Sequence, residues 1–86
     1  MIIYPTTHFK KSYRRLPKNL KKKADEKDII FRENPFNSIL ETHKLKGRLK
    51  NYWAYSVNKH YRILFRFIDK KKVIYYDIDT HEIYKK

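Results

Sequence analysis

The chain has 86 residues and a net charge of +13, from 22 Lys and Arg against nine Asp and Glu. This length allows one domain, residues 1–86, with a modest core, and the charge favours a polyanion or an acidic protein as the partner. The absence of cysteine excludes disulfides and thiolate metal sites, and no apolar run is long enough to cross a membrane, so we expect a cytoplasmic protein.

The first third of the sequence predicts one strand and two helices. The apolar run 2–4 is closed by Pro5, and Thr6 or Thr7 can cap a helix. Pro17 suits the first position of a second helix. That helix should end at the segment 33–35, because Pro35 disfavours a helical conformation of the residue before it. Apolar residues at helical spacing give each helix one core-facing stripe: Phe9, Tyr13 and Leu16, then Leu20, Ala24 and Phe31. The two helices should form an antiparallel hairpin.

The rest of the chain predicts a loop followed by three strands. Residues 36–51 show no clear period and contain the single glycine, so we interpret them as a loop with room for one short strand or turn. Apolar alternation marks strands at 52–57, 61–68 and 73–78, joined by turns short enough for hairpins. The order is β-α-α-β-β-β. We therefore predict an α+β fold, with the helical hairpin packed on a twisted antiparallel sheet.

The middle of these strands should have two different faces. Alternate residues form an apolar set, which is Tyr61, Ile63, Phe65 and Phe67. The intervening residues form a mixed set, which is Arg62, Leu64, Arg66 and Ile68. The apolar face can pack on the helices, which leaves two arginines on the other. A charged residue within an apolar strand is uncommon, so Arg62 is a candidate functional residue.

Histidine is the natural proton carrier near neutral pH, and the chain has four. Cleavage of RNA without a metal needs a base for the ribose 2′-OH, an acid for the departing 5′-oxygen and a cation for the phosphorane. His43, His60 and His81 have no metal-ligand spacing and are candidates for this chemistry, whereas His8 is interpreted as a surface histidine. We expect neither a metal nor another cofactor.

No acidic residue occurs between Glu41 and Asp69, and this stretch holds most of the predicted RNA-binding residues. The residues of this stretch that we predict to bind RNA are Lys44, Arg48, Lys50, Trp53, His60 and Arg66. Trp53 is also a natural core residue, since large aromatic side chains pack in cores more often than they stack on bases.

Five segments resemble the RelE/ParE toxin superfamily in the right order along the chain. Residues 43–53, HKLKGRLKNYW, resemble its HKLKG-x-x-x-x-YW stretch, and residues 61–65, YRILF, resemble its YRILF strand. Residues 77–84, DIDTHEIY, resemble its DIGTHDEVY ending. Residues 9–13, FKKSY, and 33–36, ENPF, also fit the family. Asp79 replaces the family's glycine, which would strain the backbone if that position had a positive φ.

The resemblance implies a toxin of a type II toxin–antitoxin system that cleaves messenger RNA in the ribosomal A site and is silenced by a cognate antitoxin. It places His43 at the position of the general base and Arg62 at that of the catalytic arginine. It places Lys46 at a phosphate-stabilising lysine, His81 at the general acid and Tyr84 at an aromatic residue that contacts the nucleotide.

Two other functions fit the same sequence. The first is a ParE-like toxin that inhibits DNA gyrase, although the segment from Thr42 to Gly47 and the C-terminal histidine are atypical of that branch. The second is a non-catalytic module that binds nucleic acid or protein, because attraction to phosphates needs no catalysis. Ribosome-dependent cleavage of mRNA would favour the nuclease. An SOS response with intact mRNA would favour the gyrase inhibitor, and RNA binding without cleavage would favour the non-catalytic module.

Overall fold

The computed structural model describes the backbone of residues 1–85 and the side chains of this range except those at positions 81 and 85. The helices and strands are β1 (Ile2–Pro5), α1 (Thr7–Arg14), α2 (Lys18–Glu33), β2 (His43–Lys44), β3 (Trp53–Ser56), β4 (Arg62–Phe67) and β5 (Lys72–Asp79). Short 3₁₀ turns lie at Ser38–Leu40, Gly47–Leu49 and His81–Lys85. None of the helices within residues 1–85 combines the length and hydrophobicity needed to cross a bilayer.

The strands form one five-stranded sheet in the order β1-β5-β4-β3-β2. The β2–β3, β3–β4 and β4–β5 pairs are antiparallel, as predicted, but β1 pairs with β5 in parallel. The predicted α+β fold, with two helices on an antiparallel sheet, is confirmed, and the sheet also contains this one parallel pair. Periodicity identifies a strand but not the direction of a partner 70 residues away, so the parallel pair was not visible in the sequence.

The ends of both helices follow from their local sequence, except that Pro17, predicted as the first residue of α2, is its N-cap. The Thr6 side chain accepts a hydrogen bond from the Phe9 amide at 3.0 Å and caps α1. Helix α2 follows Pro17 and ends at Asn34, which is extended (φ −155°) because the next residue is Pro35. The predicted core-facing stripes are confirmed, since their side chains are buried in the core or packed against it.

We call the side of the sheet that the helices cover the inner face. Tyr55, Ile63, Phe65 and Tyr75 leave the sheet on this side and pack against Phe31 and its neighbours on α2. Phe31 has no solvent exposure (0%) and lies 4.7 Å, centroid to centroid, from the stacked ring of Tyr55. The predicted division of β4 into a core-facing set and a mixed set is thus confirmed.

A buried polar chain crosses this aromatic core. The hydroxyls of Tyr55 and Tyr75 are 2.9 Å apart, and the Tyr75 hydroxyl donates to Asp28 on α2 at 2.7 Å. Asp28 also pairs with Arg32 at 2.8 Å. Burial raises the pKa of both Tyr55 and Tyr75 well above the ordinary value for a phenol. These hydrogen bonds connect the middle of the sheet to α2.

The opposite side of the sheet, which we call the outer face, carries Ala54, Ser56, Arg62, Leu64 and Arg66. A β-bulge in β5 shapes this face: Leu64 pairs with Asp77 while Phe65 pairs with Tyr75, which leaves Tyr76 as the extra residue. The bulge places Tyr76 and Asp77 together on the outer face and returns Ile78 to the core. The C-terminal turn His81–Lys85 contacts β4 and β5, and its Ile83 is buried.

Candidate active site

Two rows of cross-strand partners bring predicted site residues to the outer face. The first row runs from β2 to β5 through His43, Ala54, Leu64 and Asp77. The second runs from β3 to β5 through Ser56, Arg62 and Asp79. Directly paired residues leave a sheet on the same side, so the predicted base His43 and the predicted cation Arg62 share the outer face, two strands apart.

His43 is held by contacts at both ring nitrogens. Its Nδ1 lies 2.9 Å from the backbone carbonyl oxygen of Glu41, and its Nε2 lies 3.5 Å from the Tyr84 hydroxyl. A carbonyl oxygen can only accept, so Nδ1 must carry the hydrogen of this bond. In the neutral ring the lone pair is then on Nε2, on the side of Tyr84. This is the tautomer that a general base needs at Nε2.

Glu41, which the sequence reasoning did not single out, supports His43. Its φ of +52° places it in the left-handed region, which aims its carbonyl at the imidazole. Its carboxylate accepts a hydrogen bond from the Ser56 hydroxyl at 3.3 Å. A non-glycine residue in this region is strained, and such strain concentrates at functional sites. Its place two residues before His43 was the only signal in the sequence.

Arg62 is anchored rather than extended into solvent. Its Nη1 donates to the carbonyl oxygen of Asn58 at 2.6 Å and to that of Tyr61 at 3.1 Å, both in the β3–β4 turn. These two bonds fix the plane of a half-buried guanidinium that has five N–H donors in total. The group can therefore hold a phosphate through its other donors without reorganising. His60, also a predicted binding residue, is exposed in the same turn.

The basic loop between β2 and β3 borders the outer face. Lys46, Arg48 and Lys50 are exposed around the 3₁₀ turn Gly47–Leu49, and Leu49 lines a cavity on the outer face. Gly47 adopts φ +66°, which explains why the loop contains the chain's single glycine.

Two predicted RNA-binding residues leave the sheet on the other side. Trp53 pairs with Phe65, packs edge-to-face on Phe36 at 5.6 Å and lies on the inner face, and Lys44 is its partner on β2. Strand alternation puts them one residue out of phase with His43 and Ala54, so the structure does not bring them to the face that carries Arg62, and their contact with RNA stays a prediction. Arg66 is on the predicted face, with its guanidinium 5.8 Å from the centroid of the Tyr52 ring.

The C-terminal part of the predicted site is described at Tyr84 but not at the His81 side chain, which lies outside the described residues. Tyr84 is half-buried and contacts His43, with ring centroids 6.3 Å apart. Asp79 shows no positive φ, so the strain expected from the lost glycine is absent. Among the side chains described, no group of three or more His, Asp or Glu could hold a metal ion.

Three solved structures share this architecture over almost their whole length. A YoeB/ParE toxin from Agrobacterium tumefaciens superposes with a TM-score of 0.78 at 18% identity, covering 94% of this chain and 99% of its own. YafQ from E. coli superposes with a TM-score of 0.78 at 17% identity, covering 95% and 94%. A chain of the toxin–antitoxin complex RelBE2 from Mycobacterium tuberculosis gives 0.78 at 18% identity, covering 93% and 96%. The chain has the fold of the RelE/ParE toxins.

No protein-family model and no curated protein matches the sequence. The relationship to the RelE/ParE toxins therefore rests on the fold, at identities of 17–18% for these three structures. At this level the comparisons show a shared fold, whereas the chemistry has to be argued from the residues of this chain.

Proposed function

We propose that this protein is the toxin of a type II toxin–antitoxin system and that it cleaves messenger RNA on the ribosome. The observation that carries the proposal is the fixed His43 imidazole, whose Nδ1 is bonded to a carbonyl oxygen while Nε2 faces the outer face beside Tyr84. An anchored arginine on the same face supplies the cation that such chemistry needs. The reaction is a transesterification followed by product release, and it needs no metal.

The base in this reaction is His43. Its Nε2 takes the proton from a ribose 2′-OH, and the 2′-oxygen attacks the adjacent phosphorus. The P–O5′ bond breaks, which leaves a 2′,3′-cyclic phosphate on one product and a 5′-hydroxyl on the other. The bond from Nδ1 to Glu41 also stabilises the imidazolium that forms, because Nδ1 keeps its hydrogen-bond acceptor throughout.

The cations are Arg62 and Lys46, and the proposed acid is His81. Arg62 stabilises the negative charge that builds on the non-bridging phosphate oxygens, and its prior anchoring reduces the reorganisation needed in the transition state. Lys46, in the basic loop, adds a second positive charge. His81 follows β5 two residues after Asp79, the cross-strand partner of Arg62, and in this proposal it protonates the departing 5′-oxygen.

The RNA follows the basic side of the outer face. We propose that the RNA contacts four basic residues, Arg48, Lys50, His60 and Arg66. Tyr84, which contacts the general base His43, packs against the neighbouring nucleotide. A net charge of +13 suits both a ribosomal site made of RNA and an acidic antitoxin. The solved RelBE2 structure is a toxin–antitoxin complex, and we propose a cognate antitoxin for this chain also.

Three variants test the proposal in a translation extract with a defined mRNA, with cut ends mapped by primer extension. His43→Gln should reduce the cleavage rate by a factor of about 10² to 10⁴, the usual contribution of a general base. Lys46→Gln should reduce it by a smaller factor. Lys22→Gln, on the exposed side of α2, removes the same charge as Lys46→Gln and should leave the rate unchanged.

The result that would overturn the proposal is an intact mRNA under conditions in which the wild-type protein stops growth. If growth arrest came with an SOS response, the gyrase-inhibitor function would replace the nuclease. If the three variants cleaved at equal rates, the outer face would not be the active site.

A further inference from the structure

A buried carboxylate stands at the far end of the row that begins with His43. Asp77 is only 1% exposed, although it lies on the outer face. Its Oδ1 accepts hydrogen bonds from the Ser12 hydroxyl at 2.7 Å and from the Ile78 amide at 2.9 Å. Its Oδ2 lies 3.3 Å from Nε2 of His8, whose side chain is 61% exposed. This contact places the carboxylate beside an imidazole that solvent and ligands can reach.

The segment that carries His8 is fixed to the sheet. Strand β1 pairs with residues 72–75 of β5, and α1 then runs beside the remainder of β5. The Thr6 amide donates to the carbonyl oxygen of Tyr75 at 3.0 Å, and its hydroxyl donates to that of Tyr76 at 3.1 Å. His8 and Ser12 are four residues apart on α1, so both face Asp77. The imidazole is thus held by a rigid frame rather than by a loop.

Between this imidazole and the basic loop lies a cavity of about 310 Å³. Its lining residues are Thr6, His8, Leu49, Tyr52, Leu64, Tyr76 and Asp77. The rings of Tyr52 and Tyr76 meet edge-to-face with centroids 5.1 Å apart, and the Arg66 guanidinium lies over the Tyr52 ring. The β-bulge creates this site, because it places Tyr76 and Asp77 on the same face.

The chemistry of the cavity divides into two parts. Leu49, Leu64 and the two tyrosine rings offer an apolar and aromatic surface, which suits a planar base. His8, which lines the cavity, can donate a hydrogen bond to a phosphate or a ribose hydroxyl, and Arg66, outside the lining, adds a positive charge over the Tyr52 ring. The volume lies at the lower end of the range for small-molecule sites and fits a single nucleotide better than a larger ligand.

We propose that this cavity is a nucleotide subsite, in which a base packs against Tyr52 and Tyr76 while His8, positioned by Asp77, binds the attached phosphate or ribose. The inference deepens the proposed ribonuclease function and rests on it for the identity of the ligand as RNA. The subsite lies at the β5 end of the row Asp77, Leu64, Ala54 and His43, so it would hold a nucleotide away from the scissile bond and set the register of the strand.

The test is a titration of the full chain with adenosine 5′-monophosphate (AMP), which has no phosphodiester bond to cleave. Binding is monitored through the NMR signals of the His8 and tyrosine rings. His8→Gln and Tyr52→Ala should each weaken binding about tenfold, the loss expected for one charged hydrogen bond or one stacking contact. Lys10→Gln, a matched control on the exposed side of α1, should change the affinity less than twofold. Inorganic phosphate should shift the His8 signals without the tyrosine signals.

A positioning role for Asp77 has its own readout. Asp77→Asn keeps the size of the side chain but weakens its hold on the imidazole, so AMP affinity should fall while the urea midpoint confirms that the protein is folded. Should this variant unfold, His8→Gln still decides the question, because the His8 side chain is exposed. Unchanged AMP affinity in both His8→Gln and Tyr52→Ala would overturn the subsite. An equal loss in Lys10→Gln would overturn it too, since it would indicate diffuse charge attraction.

The two proposals fail separately. If AMP binds as described but no mRNA is cut in the translation extract, the nucleotide subsite stands and the ribonuclease function fails. If His43→Gln abolishes cleavage while His8→Gln and Tyr52→Ala leave the AMP affinity unchanged, the ribonuclease function stands and the subsite fails.

Discussion

The two faces of the sheet are built for different purposes. The inner face is covered by both helices and holds a continuous set of buried rings around Phe31, with its polar chain fully paired. The outer face carries two arginines, His43 and a cavity lined by His8, and it is bordered by the two described residues with positive φ, Glu41 and Gly47. Alternate residues of β4 lie on the inner face and on the outer face. The contrast suggests that stability and chemistry are divided between the faces of a single small sheet.

This division makes a general prediction about substitutions. Changes on the inner face should act on folding and reduce activity only through loss of the folded protein. Changes on the outer face should act on activity with little change in the free energy of unfolding. Four tests, from the largest expected effect to the smallest, can break or sharpen this comparison.

Phe31→Ala should have the largest effect on stability. The ring is fully buried among Tyr55, Phe65 and Tyr75, so its loss leaves a cavity that these rigid neighbours cannot fill. We expect the free energy of unfolding to fall by about 3–5 kcal/mol, measured by urea denaturation. Ile29→Ala on the same helix is the control, because that side chain is exposed and should cost far less. Equal losses would mean that the inner face is not the main source of stability.

Arg62→Lys should separate activity from stability on the outer face. Lysine keeps the charge but cannot bond two carbonyl oxygens and a phosphate in one plane, so we expect a loss of about 10²-fold in cleavage rate. The free energy of unfolding should fall by only about 1 kcal/mol, the value of the lost hydrogen bonds. Cleavage assays and urea denaturation on the same preparation measure both. A stability loss as large as that of Phe31→Ala would contradict the division between the faces.

Alkaline pH should weaken the inner face through its buried phenols. Burial raises the pKa of Tyr55 and Tyr75 in the folded state, so both stay neutral there while the unfolded chain ionises near pH 10. The contribution of the two neutral phenols to the free energy of unfolding is fully present below pH 10. It is lost as the pH rises above 10, at up to about 1.4 kcal/mol per pH unit for each phenol. Tyr55→Phe should reduce this slope between pH 10 and 11, measured by urea denaturation at each pH. Identical slopes would show that Tyr55 is not the source.

The two positive-φ positions should respond differently to substitution. Gly47→Ala forces a side chain into a left-handed conformation, although nothing lies within 4 Å of the added Cβ, so we expect a loss of about 1 kcal/mol. Glu41→Gly relieves the same strain and should not lower stability by a comparable amount, yet it should slow cleavage because the carbonyl that holds His43 becomes mobile. Melting temperatures and cleavage rates of the pair distinguish the two. Faster cleavage in Glu41→Gly would show that the strain has no part in orienting His43.

The sequence predicted the elements of the inner face well because that face follows simple periodicities. The stripe of Leu20, Ala24 and Phe31, the alternation of β4 and the stop at Pro35 each depend on a few neighbouring residues. The resemblance of five segments to the RelE/ParE toxins also predicted the fold that the solved structures share.

The outer face was less predictable because it depends on contacts between distant residues. The parallel β1–β5 pair, the bulge at Tyr76 and the pairing of His8 with Asp77 have no signature in a local pattern. His8 was interpreted as a surface histidine, since nothing near it in the sequence indicates the carboxylate 69 residues away that holds it. The roles of His43, Lys46, Arg62 and His81 stay predictions that the variants above can test.

The parallel pairing of β1 with β5 has a consequence for how the protein is made. Ile2 pairs with Lys72 and Pro5 with Tyr75, so β1 has no partner in the sheet until residues 72–75 have been synthesised. Pairings this distant in sequence are slow to form, and this one also frames the His8–Asp77 pair. We therefore expect the edge of the sheet that positions His8 to be among the last parts of the fold to form.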